Sequence, residues 1–234
     1  ELGAKSKDTI LASLSAIFET AINKGYVGSN PVRTWRKNED NINPKSEIDN
    51  ESERYLSDSE IEALYKGVED DCEATRLFVH LALKTGARAN SVCNIKKKDI
   101  IGNTIRLTDE KRKLPKDRTY TNPIPSSLLE LLQPRLDAIK PNDFIVDMDY
   151  QNINNKMTRI YKTLFNGDLD FREDRKIYVS NHTLRHTFAS QLAIKKTPIF
   201  VIMKLMHHAD IKMTIRYAKL NSEENGSEYV EMLK

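Results

Sequence analysis

Apolar residues near the start of the chain, Ile10, Leu11, Leu14, Ile17, Phe18, Ala21 and Ile22, recur at one-sided helical spacing. Gly25 and Asn30-Pro31 follow as stop signals, so the pattern predicts one amphipathic helix. A lone helix cannot bury such a stripe: it packs on the rest of the chain or closes a small domain whose earlier part is missing. Residues 37–53 are polar, acidic and rich in Asn, which predicts an exposed linker. Ser57-Asp58-Ser59-Glu60 then has the capping-box pattern ahead of Ile61, Leu64 and Tyr65, so a new domain begins here. A helix is expected from Cys72 to Leu83, broken at Thr85-Gly86, with a short helix after it through Val92 and Ile95. Ile100-Ile101 to Leu107, around the Gly102-Asn103 turn, reads as a strand, and 118–124 as a second. Between them lies a basic loop, Lys111-Arg112-Lys113-Leu114-Pro115-Lys116. Helices are expected at 126–132, 150–165, 182–194, 198–206, 211–219 and in a tail at 223–233. The expected fold class is mainly α with a small antiparallel β-sheet that carries a basic turn.

Composition narrows this picture. The chain has 234 residues, 39% of them hydrophobic, enough for a real core. Charged residues make up 30%, mean hydropathy is −0.58, and no apolar run approaches the roughly 18 residues of a membrane span. The opening Glu1-Leu2-Gly3-Ala4-Lys5 shows neither an initiator Met nor a secretory leader, and reads as the start of a trimmed fragment. Cys72 and Cys93 lack C-x-x-C spacing and are expected to be reduced thiols of an intracellular protein. Charge is uneven. Residues 37–53 hold two lysines against six acids, whereas residues 84–118 hold eleven Lys and Arg against four acids. An anionic partner would meet that second stretch, although a charge run is also what an ordinary solvated face looks like.

Four of the five histidines fall in two clusters, His182-Thr183-Leu184-Arg185-His186 and His207-His208. His182 and His186 are four apart on one helix face, a zinc-ligand spacing, but Thr183 stands where a zinc peptidase needs its glutamate base. A satisfied structural role is the other reading of His186.

Three boxes carry a different message: Thr85-Gly86-Ala87-Arg88, His182-Thr183-Leu184-Arg185-His186-Thr187-Phe188-Ala189, and Leu205-Met206-His207-His208 with Thr214 and Tyr217 after it. In order and spacing they resemble the tyrosine recombinase (phage integrase) family over about Tyr55 to Leu220. The resemblance implies a recombinase catalytic domain at 54–234 with a C-terminal tail helix, an acidic linker at 37–53, and at 1–36 the last helix of a core-binding domain. It implies double-stranded DNA as substrate, a phosphotyrosyl intermediate, and no metal, ATP or other cofactor. It further implies a tetrameric synapse on DNA that exchanges C-terminal tails, a cytoplasmic location at the nucleoid of a bacterium or phage host, and no membrane. Arg88 and Arg185 would hold the phosphate, His182 would accept a proton, His208 would donate to a phosphoryl oxygen, and Tyr217 would attack. Lys113, chosen by family spacing over Lys111, would protonate the leaving oxygen. Lys84, Lys96, Lys97, Lys98, Lys111, Arg112, Lys116 and Arg118 are candidate DNA contacts.

The chemistry suits these residue types. Attack on a phosphodiester builds negative charge on the non-bridging oxygens, which planar guanidinium forks hold with charge-assisted hydrogen bonds. A phenol, with a free pKa of about 10, must lose its proton as it attacks. Two departures stand out: His207 replaces the family's usual glycine, which would disturb the backbone before His208, and Ser91 stands where an acid is usual, which would alter the support of Arg88 or His182. Two rival readings remain, a type IB topoisomerase-like enzyme and a non-catalytic DNA-binding module on the same fold.

Overall fold

The computed structural model describes residues 4–37, 54–110, 118–171 and 173–221. The chain divides into two compact units, Glu1–Glu51 and Ser52–Lys234. The expected linker lies, from residue 38 onward, outside the described residues, as do Lys111, Arg112, Lys113, Lys116 and the tail from residue 222.

The first unit is a helical hairpin, α1 (Ala4–Asn23) and α2 (Pro31–Lys37). Asn30-Pro31 thus starts a helix as well as ending the approach to it, which corrects the single-helix expectation. Proline suits the first helical position because its missing N–H would have no partner there. The Asn30 Oδ1 accepts from the backbone N–H of Val32 (3.1 Å) and Arg33 (3.4 Å) as an N-cap. Its Nδ2 donates back to Ser15 and to Glu19 (2.6 Å) on α1, so one buried amide ties both helices. Ile10, Leu14 and Ile17 of the apolar stripe remain exposed.

In the second unit, α3 (Asp58–Gly67) starts with the expected capping box, Ser57 and Glu60 each taking the other's backbone N–H. After α4 (Glu73–Thr85) and α5 (Ala89–Cys93) comes a sheet of three strands instead of two: β1 (Ile100–Ile101), β2 (Thr104–Thr108) and β3 (Thr119–Pro123), antiparallel in that order. Gly102, at φ +54, turns the chain so sharply that Ile100-Ile101 folds back on Thr104-Ile105 as a strand of its own. Ile105 and Leu107 face the core, and Leu107 pairs with Tyr120.

The remaining helices are α6 (Ser126–Ala138), α7 (Tyr150–Tyr161), α8 (Asn181–Ile194), α9 (Ile199–Leu205) and α10 (Lys212–Ile215). α6 runs past the expected Leu132, through Pro134, because Leu128, Leu132 and Leu136 at four-residue spacing all enter the core. α7 ends in a π-helical turn, Lys162–Asn166, and α10 tightens into a 3₁₀ turn, Arg216–Asn221. The main core packs α3 to α7 against the sheet. A smaller apolar cluster, Ala189, Ala193, Ile202, Met206 and Tyr217, joins α8 and α9 to that last turn. Cys72 is exposed and Cys93 buried, with burial pushing the Cys93 thiol up to about 12. No helix among the described residues is long and apolar enough to cross a membrane.

Gly86 is the position where the fold leaves no choice of residue. It caps α4 in the left-handed region at φ +64, and an added Cβ would lie 2.2 Å from the Phe188 ring on α8. Gly86→Ala combines left-handed strain with overpacking, so an expected loss of about 2–4 kcal/mol should appear as a lower urea midpoint.

Candidate active site

The break at Gly86 delivers Arg88 to the N-cap of α5, and α8 supplies His182, Arg185 and His186 within its first turns. Arg88, His182 and Arg185 line one cleft of about 500 Å³, together with Asn90, Ser91 and Asp109. His182 is exposed at the rim, whereas Arg185 is 3% exposed. A guanidinium can be buried there because it is hydrogen-bonded inside the protein: Nη1 donates to the Gly86 carbonyl at 2.6 Å and Nη2 to the Met206 carbonyl, two bonds from a group with five N–H donors. Both acceptors belong to the other two boxes, so Arg185 is the joint that brings the three together. Burial, and then the neighbouring Arg88, lower the Arg185 pKa from its ordinary value, while Tyr120, Tyr217 and Asp109 pull it back up.

His208 follows α9, and its Nδ1 meets the Thr214 hydroxyl at 2.8 Å, which accounts for the Thr in the third box. His207, in place of the usual glycine, takes the left-handed conformation at φ +50. Histidine is among the side chains that tolerate this region. The ring stacks on Tyr120 of β3, centroids 4.1 Å apart and nearly parallel. The departure therefore sits in a backbone region that favours glycine and adds a contact to the sheet. The Tyr120 hydroxyl faces Arg185 and Arg88, and burial raises its pKa.

Tyr217, on the 3₁₀ turn, is 4% exposed, and its hydroxyl lies 2.6 Å from His186 Nδ1. Here the structural reading of His186 prevails over the zinc spacing. Among the described residues no group of three or more His, Cys, Asp or Glu is arranged to hold a metal ion. The His182 and His186 rings meet edge to face at 4.6 Å. Burial foremost, then the charges of His182, Arg216, Arg185 and His208, push the His186 pKa down to about 3. Unfolded, the same imidazole titrates near 6.5. The folded protein thus binds fewer protons between those values. The contribution of this one group to stability is full above about pH 6.5 and declines by up to about 1.4 kcal/mol per pH unit as the pH falls toward 3. His186→Phe should flatten this part of the stability–pH curve, as read by urea unfolding at pH 7 and pH 5.

Asp109, counted in the sequence only as one acid inside a basic stretch, is the site residue that motif reading missed. Its side chain is 2% exposed and takes an ion pair from Arg88 Nη1. Ser91, expected to alter the support of Arg88 or His182, donates to the Thr108 carbonyl at 2.6 Å. No local signal marks Asp109, since its partner is 21 residues away.

The basic patch is partly occupied by the protein itself. Lys96 Nζ sits over the Phe144 ring, Lys97 donates to the Ile139 carbonyl and Lys98 to Asn142, so these three brace the segment 139–144. Arg106 pairs with Asp99. Lys84 is exposed, and the Arg118 carbonyl closes the β2–β3 ladder with Asp109.

The second unit is mainly helical with three antiparallel strands and sets two arginines in one cleft, and comparison gives it a family. The phage integrase family model matches residues 54–224, and the chain belongs to this family of tyrosine recombinases. A tyrosine recombinase XerA of Pyrococcus furiosus is 29% identical over 170 residues, covering 73% of this chain and 58% of the relative. A XerA of Saccharolobus solfataricus is 28% identical over 166 residues, covering 69% and 52%. The chain thus spans little more than half the length of these relatives. Among solved structures, the catalytic domain of bacteriophage HP1 integrase aligns with TM-score 0.56 at 24% identity, over 76% of this chain and 93% of that one. A lambda integrase dimer bound to a COC′ core site aligns with TM-score 0.67 at 20% identity, over 92% and 74%. At these identities the likeness is one of fold.

Proposed function

We propose that this chain carries the catalytic domain of a site-specific DNA recombinase, which cuts and rejoins double-stranded DNA through a 3′-phosphotyrosyl intermediate without metal or ATP. The observation that carries the reading is Arg185, which binds carbonyls of both other boxes and shares a cleft with Arg88 and His182. In this reading the two guanidinium groups hold the non-bridging oxygens, and His208, steadied by Thr214, donates to one of them. His182 accepts the proton of Tyr217, which attacks phosphorus. Lys113 gives a proton to the departing 5′-oxygen. The phosphotyrosyl bond keeps the energy of the broken linkage, so a second strand's 5′-hydroxyl reverses the step.

DNA as partner is supported by the lambda integrase relative, whose structure holds a core site, and by the basic stretch at 84–118. Residues 1–36 are the end of a core-binding domain, and the segment 222–234 docks on a neighbouring protomer of a tetrameric synapse. The test is a nicked suicide substrate drawn from the DNA flanking the gene. A denaturant-resistant protein–DNA adduct is expected, and its absence on every flanking site would leave the non-catalytic module. Relaxation of any supercoiled plasmid, without joining of two sites, would mean the topoisomerase-like alternative.

A further inference from the structure

Three contacts stitch the start of α5 to the end of β2. Arg88 pairs with Asp109, the Asn90 amide donates to Glu110 at 3.3 Å, and the Ser91 hydroxyl donates to the Thr108 carbonyl at 2.6 Å. The strand leads directly into the basic loop, and the Asp109 N–H donates to the Arg118 carbonyl at 2.6 Å to close the loop's base. Asp109 therefore holds two partners: its backbone pairs with Arg118 and its carboxylate with the first arginine. The geometry also answers an electrostatic problem. Arg88 and Arg185 are like charges in one cleft, each disfavouring the other, and Asp109 is the anion that sits against Arg88 with its side chain 2% exposed. Buried like charges without a counterion repel strongly because little water screens them.

We propose that Asp109 is a positioning residue for the reaction: it aims the Arg88 guanidinium at the phosphate. The inference rests on the recombinase reading above. Ser91 offers an independent way to test it. It lies three residues after Arg88 on α5 and lines the same cleft, so a longer acidic side chain there would be placed near the same guanidinium.

The experiment is single-turnover cleavage of the suicide substrate by the full chain, with DNA affinity and melting temperature measured alongside. Asp109→Asn and Asp109→Ala are expected to form adduct about 10- to 100-fold more slowly, the scale of a misplaced reacting group. DNA affinity should stay within about threefold, since phosphate contacts across the surface dominate it. Ser91→Glu added to Asp109→Ala should recover about tenfold of the rate, on the scale by which a restored aiming contact acts. A purely structural carboxylate would be replaced in melting temperature alone. Wild-type rates in Asp109→Asn would overturn the proposal, as would a double variant that regains melting temperature but not rate. If the wild-type chain itself forms no adduct, the recombinase reading fails and takes this inference with it; an active wild type with indifferent Asp109 variants removes the inference alone.

Discussion

Tyr217→Phe is expected to form no covalent adduct on a suicide substrate while binding DNA as the wild type does. The ring is 4% exposed and packs among Ala189, Ala193, Ile202 and Met206, contacts that phenylalanine keeps. What goes is the hydroxyl, and with it the 2.6 Å hydrogen bond to His186. His186 loses one partner, a change of about 1 kcal/mol, too small to unfold a domain of this size. The effect on chemistry is all or none because phenylalanine carries no oxygen to attack phosphorus. Gel electrophoresis in denaturant reads it directly. An adduct that survives in Tyr217→Phe would assign the nucleophile elsewhere, with Tyr178 and Tyr229 the next to substitute. Tyr178 packs edge to face on Phe171, 5.3 Å between centroids, and Tyr229 lies outside the described residues.

The features legible in the sequence share a physical trait: short range. The Ser57–Glu60 capping box, the left-handed stop at Gly86 and the boxes around Arg88, Arg185 and Tyr217 each depend on residues within a few positions of one another. The structure bears out the mainly helical class with a small antiparallel sheet. Misreadings arose where one local signal serves two ends. Asn30-Pro31 was a valid stop and an equally valid start, and only the reach of Asn30 back to Ser15 and Glu19 decides between them. The Gly102-Asn103 turn was visible, but whether Ile100-Ile101 pairs across it depends on register. Patterning was least informative on α8, where Arg185, His186, Thr187 and Ser190 are all buried. The apolar stripe is interrupted there because buried polar side chains bond within the protein, Arg185 to Gly86 and Met206, His186 to Tyr217 and Thr187 to Leu56. The Arg88–Asp109 pair and the Tyr217–His186 hydrogen bond join residues 21 and 31 positions apart, and no periodicity encodes such a meeting. Charge counting is equally blind to partners far along the chain: Lys96, Lys97 and Lys98, candidate DNA contacts by charge, also meet Phe144, Ile139 and Asn142 of the segment 139–144.

Lys113→Ala is expected to slow cleavage of ordinary DNA by on the order of 100-fold, the scale of a lost general acid. Lys111, Arg112 and Lys116 share its loop and could each contact phosphate, so a slower rate alone would not assign the role. A proton donor differs from a phosphate contact in mattering only while the leaving group needs a proton. A 5′-alkoxide leaves poorly, whereas a thiolate at the same bridging position has a pKa several units lower and departs unprotonated. On DNA with a 5′-bridging sulfur most of the Lys113→Ala defect should therefore vanish. Arg88→Ala and Arg185→Ala should stay slow on both substrates, because charge on the non-bridging oxygens still needs both forks. Arg185→Ala carries a further cost, as the Gly86 and Met206 carbonyls lose the donor that joins the boxes. The clean comparison is thus Lys113→Ala against Arg88→Ala, each timed to adduct on the oxygen and sulfur substrates. Rescue of Lys111→Ala by sulfur, with Lys113→Ala still slow, would move the proton donor two residues along the loop and leave the arginine assignments standing.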